Sequence, residues 1–277
     1  MIRCAVTGAC GRMGMAVIRA VSRAEGIELA GATEQQGHPG IGSDVAELPG
    51  AGKSRVTVVD SLALITPQPD VIIDFTAPES SLAHMEWAAS RRTAAVIGTT
   101  GFSPVQSGRI RELARVVPCV CSPNMSVGVN IMFTLIERVA RMLQDRYDME
   151  IIESHHRLKK DAPSGTAVKM AHILADAMNR DLESVAVHGR KGLIGERRRD
   201  EIGIQVVRAG DIVGDHTVLF AGEGERLEIT HRAHSRDTFA AGAVRAATWV
   251  AGQPPGLYDM LDVLGLASSA PGEPGNA

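Results

Sequence analysis

The chain has 277 residues, of which 44 % are hydrophobic, 22 % charged and only 3 % aromatic, with a formal net charge of -3. That length suits one large or two smaller domains at about 100–200 residues each, and the composition is that of a globular protein with an aliphatic core. A mildly acidic chain is a poor nucleic-acid binder, no apolar run approaches the ~18 residues that span a bilayer, and the strand pattern at Ile2 leaves no room for a cleavable or transit segment. The expectation is a soluble cytoplasmic protein with neither nucleic acid nor membrane as partner.

Apolar runs predict a buried strand at Ile2–Thr7, a glycine turn, a helix over Met13–Ala24 and strands at Ile27–Thr33 and Val56–Val59. A strand at Val71–Phe75, a helix over Glu79–Ser90, a strand at Ala94–Ile97, a helix from Pro104 to Val116 and a strand at Cys119–Cys121 follow. Strands alternating with helices predict a Rossmann-like, doubly wound parallel sheet. The rhythm then changes. A long helix over Met125–Leu143, a strand at Met149–Ser154 and a helix over Thr166–Met178 precede strand-like runs at Val185–His188, Ile202–Ala209, His216–Ala221 and Leu227–Arg232. A helix over Asp237–Val250 follows, and the tail Ala267–Ala277 looks frayed.

The predicted architecture is therefore α/β. Residues 1–125 form a nucleotide-type domain, residues 126–236 a second, α+β domain with an open mixed sheet, and the helices of 237–277 return to pack on the first domain. The basic run Arg197–Arg199 reads as a solvated loop, and the four cysteines, Cys4, Cys10, Cys119 and Cys121, as reduced residues with no metal or disulfide role.

Two stretches carry chemistry. In VTGACGRMG, Gly8, Gly11 and Gly14 follow a strand and open a helix, so a pyrophosphate can approach the main chain and the helix N-terminus. The spacing alone is a weak signal; the strand–turn–helix context and an acid, Glu34, at the end of the next strand strengthen it. Glu34 is placed to accept the hydroxyls of an adenosine ribose, and Arg12 to lie along the pyrophosphate or a 2′-phosphate. The loops Gly98-Thr99-Thr100 and Ser122-Pro123-Asn124-Met125 follow strand ends, where ligands of open α/β sheets bind.

The second stretch is ESHHRLKKDAPSGTA, residues 153–167. Ser164 is a natural helix N-cap and Gly165 permits close approach, which makes the turn an anion site for a substrate carboxylate. His155, His156, Arg157, Lys159 and Lys160 stand beside it, so one segment can hold a carboxylate and deliver a proton. Adjacent histidines on a strand face opposite ways and make a poor metal pair.

With these residues in view, the chain resembles the dihydrodipicolinate reductases, also called 4-hydroxy-tetrahydrodipicolinate reductases, over nearly its whole length. GACGRMG, VIIDFTAPE, VIGTTGF, NMSVGVN, E-x-HH-x-x-K-x-DAPSGTA, RAGDIVGDH, LEITHRAHSR and FAAGAVRAA occur in the family's order. The resemblance implies loss of water from a cyclic hydroxy-dicarboxylate and its reduction by NADH or NADPH, without a metal, in the diaminopimelate route to lysine. It carries the acid/base histidine onto His155 and the proton-donating lysine onto Lys159. Substrate contacts fall on His156, Gly165 and Thr166, with Ser164 and Arg236 as helpers. Nucleotide contacts fall on Gly8, Ala9, Cys10, Gly11, Arg12, Met13, Glu34, Gly98, Thr99, Thr100, Ser122, Pro123, Asn124 and Met125. It also implies a homotetramer and a hinge near Ser126–Asn130.

Three positions depart from the family pattern: Cys10 in the glycine turn, Gln35 where some relatives have an arginine for a 2′-phosphate, and Met125 where an aromatic residue is common. Competing readings are another amino-acid-pathway dehydrogenase on this scaffold and a catalytically silent nucleotide sensor. The HH-x-x-K-x-D-x-P-S-G-T segment argues against the first, and the presence of both His155 and Lys159 against the second.

Overall fold

The computed structural model describes residues 1–47 and 55–266. The frayed tail expected at Ala267–Ala277 lies outside them. The chain divides into two compact units, one holding Met1–Val127 and the chain from Arg236 on, the other Gly128–Ser235.

The first unit begins β1 (Ile2–Thr7), α1 (Arg12–Arg23), β2 (Ile27–Thr33), β3 (Val58–Val59), β4 (Val71–Asp74), α2 (Pro78–Arg91), β5 (Ala94–Ile97), α3 (Pro104–Leu113) and β6 (Pro118–Cys121). The chain passes into the second unit along α4 (Val127–Leu143) and continues as β7 (Asp148–His155), α5 (Gly165–Ala177), α6 (Leu182–Val185), β8 (Ala186–His188), β9 (Ile202–Arg208), β10 (Gly214–Ala221) and β11 (Arg226–Ala233). It then returns to the first unit with α7 (Asp237–Val250), β12 (Gly256–Tyr258) and α8 (Met260–Leu264).

The first sheet has seven strands in the order β12-β6-β5-β4-β1-β2-β3, every neighbouring pair parallel. Its strands are apolar on both faces, as a sheet covered on both sides requires; β4 and β5 are buried throughout. One face packs on α1 and α7, the other on α2 and α3. Helix α7 owes its close fit to small residues: Ala240, Gly242, Ala243, Ala246 and Ala247 are buried, and a Cβ on Gly242 would stand 1.7 Å from the Met125 carbonyl oxygen.

One polar knot ties the C-terminal ends of these strands together. The fully buried carboxylate of Asp74 accepts from Thr7 Oγ1 (2.9 Å), Thr76 N–H (3.0 Å), Ser81 Oγ (2.6 Å) and Thr99 Oγ1 (2.9 Å), and pairs with His84 Nδ1 at 2.5 Å. Burial alone would raise its pKa; the bonds from His84, Ser81 and Thr76 outweigh that and bring it down to about 2. Replacing Asp74 with Asn turns an amide N–H₂ toward donors that already lack room. We expect a loss of about 3 kcal/mol, read as a lower urea midpoint at unchanged slope.

The second unit is a five-stranded mixed sheet ordered β11-β10-β7-β9-β8. β10 runs antiparallel to β7 and β11, while β9 runs parallel to β7 and β8. Alternation along β7 sends Met149, Ile151, Glu153 and His155 inward, where Met149 and Ile151 join Val129, Phe133 and Ile136 of α4 and Met170, Ala171 and Leu174 of α5 in one core. The other face of the sheet exposes Ile152 and Val207.

The basic run departs from the expected solvated loop. Arg197 donates to Asp148 (2.7 Å), to Glu150 (3.2 Å) and to the carbonyls of Met149 and Glu201 (3.1 and 2.7 Å), because β7 turns two acids, two residues apart, onto the same face. Arg198 and Arg199 are exposed. The strand β12 was absent from the sequence reading, and α8 falls among the C-terminal helices that it placed in 237–277 without bounds.

Candidate active site

In the first unit, β1 is followed by Gly8 with φ +64, a conformation glycine adopts without strain, and the chain turns back so that Gly11 N–H donates to Gly8 carbonyl at 3.0 Å. A Cβ on Gly14 would stand 2.1 Å from that same carbonyl, so only glycine lets α1 pack this closely on the turn. Gly11 caps α1 with no side-chain bond, leaving the helix N-terminus to a ligand. Glu34 lies against the turn: its carboxylate accepts from Cys10 N–H (2.9 Å) and Gln35 N–H (3.0 Å). The turn and the open helix N-terminus form a cradle of main-chain N–H groups with an acid beside it.

The other predicted nucleotide residues divide by what their side chains do. Ala9 and Met125 are buried in the core, so only their main chain is available at the turn and loop. Thr99 faces the Asp74 knot, and Ser122 Oγ donates to Asn124 carbonyl at 3.1 Å, holding its loop. Gly98 is required by Phe75, whose ring would lie 2.1 Å from a Cβ. Arg236, expected near substrate, stands at the N-terminus of α7 in the first unit. Burial, and then the neighbouring Arg12 guanidinium, push its pKa down; two cations held close to one another suit an anion.

The second unit brings its site together from four elements. Glu153 and His155 are two apart on β7 and face the same way, and His155 Nδ1 meets Glu153 Oε2 at 2.5 Å. Arg208, at the end of β9, grips both oxygens of Glu153 at 2.9 Å each. The N–H of Ser164, at the start of α5, donates to Glu153 Oε1 at 2.9 Å. Burial would raise the Glu153 pKa; the bonds from His155, Arg208 and Ser164 win and take it to about 2. A carboxylate so firmly ionised accepts the Nδ1 proton of His155, so Nε2 is the atom left to exchange protons. That Nε2 lies 3.0 Å from where a Cβ of Gly214 would be, so glycine at the start of β10 keeps it open.

Ser164 caps α5 as expected: its hydroxyl accepts from Ala167 N–H (3.3 Å) and meets His216 Nε2 (3.2 Å). Its side chain is buried, so it shapes the turn from within. A Cβ on Gly165 would find nothing within 4 Å, which leaves the first turn of the helix accessible. Lys159 Nζ pairs with Asp161 at 2.9 Å. Glu153, Arg208 and His216 were given no role by the sequence reading. The i, i+2 spacing to His155 was a signal for Glu153; nothing local pointed to the other two.

His216 carries a pH dependence. Burial, and then the nearby His155, lower its pKa to about 3, against ~6.5 for a free imidazole. The folded value is depressed, so the stability held above pH ~6.5 drains away as pH falls toward the folded value. Glu153 adds its own loss only below about 4.5. Between about pH 6.5 and 5 we expect His216→Gln to show a shallower fall in Tm than wild type. His231, also lowered by burial, keeps part of the slope in both.

The family description "Dihydrodipicolinate reductase, N-terminus" matches residues 2–125 and "Dihydrodipicolinate reductase, C-terminus" matches residues 128–264. The chain belongs to the dihydrodipicolinate reductase family. Among curated reductases of this family, the 4-hydroxy-tetrahydrodipicolinate reductase of Syntrophus aciditrophicus is 55 % identical over 97 % of this chain and 100 % of its own length. That of Syntrophobacter fumaroxidans is 53 % identical over 96 % and 100 %. Among solved structures, a dipicolinate-bound dihydrodipicolinate reductase from Paenisporosarcina sp. TG-14 superposes with a TM-score of 0.71 at 30 % identity, covering 95 % of this chain and 98 % of that one. An amine dehydrogenase from Mycobacterium smegmatis shares the fold at 16 % identity and a TM-score of 0.57. As a dihydrodipicolinate reductase, the chain is an NAD(P)H-dependent oxidoreductase of the lysine branch that passes through diaminopimelate.

Proposed function

We propose that this reductase binds its dinucleotide through the Gly8–Met13 turn and Glu34, and its cyclic dicarboxylate substrate, 4-hydroxy-tetrahydrodipicolinate, through the first turn of α5. The nicotinamide supplies the hydride when bound. Hydride addition to a conjugated ring leaves electron density that a proton must quench, and the substrate also loses a hydroxyl as water. Lys159 carries three N–H donors next to the anion turn and is assigned the proton delivery. His155 exchanges a proton at Nε2 while Glu153 and Arg208 hold its ring. The main chain at Gly165 and Thr166, together with His156, receives one substrate carboxylate. Arg236 with Arg12 serves an anionic group at the first unit.

The observation that carries this reading is the His155–Glu153 pair locked by Arg208, at the N-terminus of α5. A histidine tied at Nδ1 to a committed carboxylate is built for proton exchange at its other nitrogen. The dipicolinate held by the Paenisporosarcina relative supports a dicarboxylate ligand here. Glu34 followed by Gln35 supports use of NADH at least as readily as NADPH, since a carboxylate suits a ribose hydroxyl and repels a 2′-phosphate. The biosynthetic work of its curated relatives supports a place in the cytoplasm. The sheet face that exposes Ile152 and Val207 supports assembly through the second unit into a homotetramer.

The test is a coupled assay in which a dihydrodipicolinate synthase makes the substrate from pyruvate and aspartate semialdehyde. Loss of nicotinamide absorbance is followed with NADH and NADPH separately. Substrate-dependent oxidation at comparable rates with both is the expected result; no oxidation with either by folded, nucleotide-binding protein would overturn the reading.

A further inference from the structure

We propose that Cys10, Glu34 and His38 form a site for a zinc-class divalent cation at the ribose end of the dinucleotide cradle, so that metal and dinucleotide exclude one another. The inference rests on the assignment of Glu34 to the ribose. The three residues come from two segments, the turn after β1 and the loop after β2, and each offers one ligand atom lying within 4.8 Å of the other two. A tetrahedral zinc with bonds of about 2.0–2.3 Å places its ligand atoms roughly 3.3–3.6 Å apart. The difference is within reach of a side-chain rotation by His38, which is exposed.

The donor set selects the metal. A thiolate with an imidazole and a single carboxylate favours zinc or a similarly soft ion over magnesium or calcium, which take mostly oxygen. On binding, the Cys10 thiol gives its proton to solvent and its sulfur bonds the cation; water fills the fourth position. Local geometry supports the arrangement. Glu34 is already oriented by the N–H groups of Cys10 and Gln35, as outer partners orient metal-binding carboxylates. Gly40 closes the loop against the same point: a Cβ there would stand 2.6 Å from Cys10 Sγ and 3.1 Å from His38 Nδ1. Glycine therefore leaves open the space where sulfur and imidazole approach one another. His38 Nδ1 accepts from Gly40 N–H at 3.0 Å, a single bond at the surface that the exposed ring exchanges for the ion when it rotates onto the site.

The experiment uses the full-length protein freed of metal with a chelator. Cobalt is titrated as a spectroscopic stand-in, and zinc is then titrated against a chromophoric chelator. Cys4 and Cys119 are buried and Cys121 is half-buried, so a thiolate-to-cobalt charge-transfer band, checked by its loss in Cys10→Ser, reports Cys10. We expect that band in wild type, and a zinc affinity lowered at least ~10-fold in His38→Ala. NADH binding, followed by nucleotide fluorescence, should stay normal in His38→Ala and should strip the cation from wild type in a competitive manner. Absence of the band, or equal zinc affinity in wild type and His38→Ala, would overturn the site and leave the dinucleotide assignment standing. A band that persists under saturating NADH would overturn the mutual exclusion, and with it the ribose role of Glu34.

Discussion

Lys159→Met is expected to lower kcat by roughly two to four orders of magnitude, the usual contribution of a positioned proton donor. The methionine keeps most of the stem's volume and removes all three N–H donors. NADH affinity should not change, because the residues assigned to the nucleotide lie in the first unit and Lys159 in the second. Fold stability should change little as well: Lys159 pairs with an exposed Asp161, and such pairs contribute about 0–1 kcal/mol. A wild-type kcat in the variant, measured at saturating substrate, would remove Lys159 from the proton path. A raised KM with unchanged kcat would make it a binding residue instead.

The second large effect is expected from Glu153→Gln. Four donors converge on that carboxylate: His155 Nδ1, two from Arg208 and Ser164 N–H. An amide of the same shape presents its own N–H₂ to at least one of them and removes the charge that Arg208 needs. Breaking one side of a buried pair costs about 3–5 kcal/mol, so the urea midpoint should fall clearly. Catalysis should suffer separately, because His155 loses the bond that fixes its tautomer. We expect kcat to drop on the order of 100-fold, with a pH–rate profile displaced from wild type. Destabilisation with an unaltered profile would mean that Glu153 holds the fold and nothing more.

These two residues show where the sequence was and was not readable. Lys159 sits in a segment whose local chemistry, two histidines, cations and a P-S-G-T turn, announces itself within fifteen residues. The strand, turn and helix around it came out within one or two positions: Met149–Ser154 against Asp148–His155, and Thr166–Met178 against Gly165–Ala177. Long periodic elements do this because each turn or pair repeats the same signal. Arg208 and His216 are different. They lie 55 and 63 positions beyond Glu153 and reach it only because β9 and β10 flank β7 in the sheet. No local pattern encodes that strand order. Strand β12 escaped for another reason: three residues, Gly-Leu-Tyr, after Pro-Pro carry too little periodicity to read. Arg197 was misread because a charge run has the same composition whether it is solvated or clamped onto Asp148 and Glu150.

The return of the chain to the first sheet bears on how the protein is born. β12 pairs in parallel with β6, Gly256 opposite Pro118, and α7 covers β4, β5 and β6. During synthesis, then, the early strands emerge with one face covered by α1 alone, and the part that α7 will cover stays open while all of Gly128–Ser235 is translated. The inserted unit is contiguous in the chain and can close first, whereas the earlier one must wait for its last helices, a late and distant closure that slows folding and leaves apolar strands open to aggregation. A nascent chain with only the residues up to Ser235 outside the ribosome would hold a complete insert and an unfinished host, the reverse of the order in which the two begin.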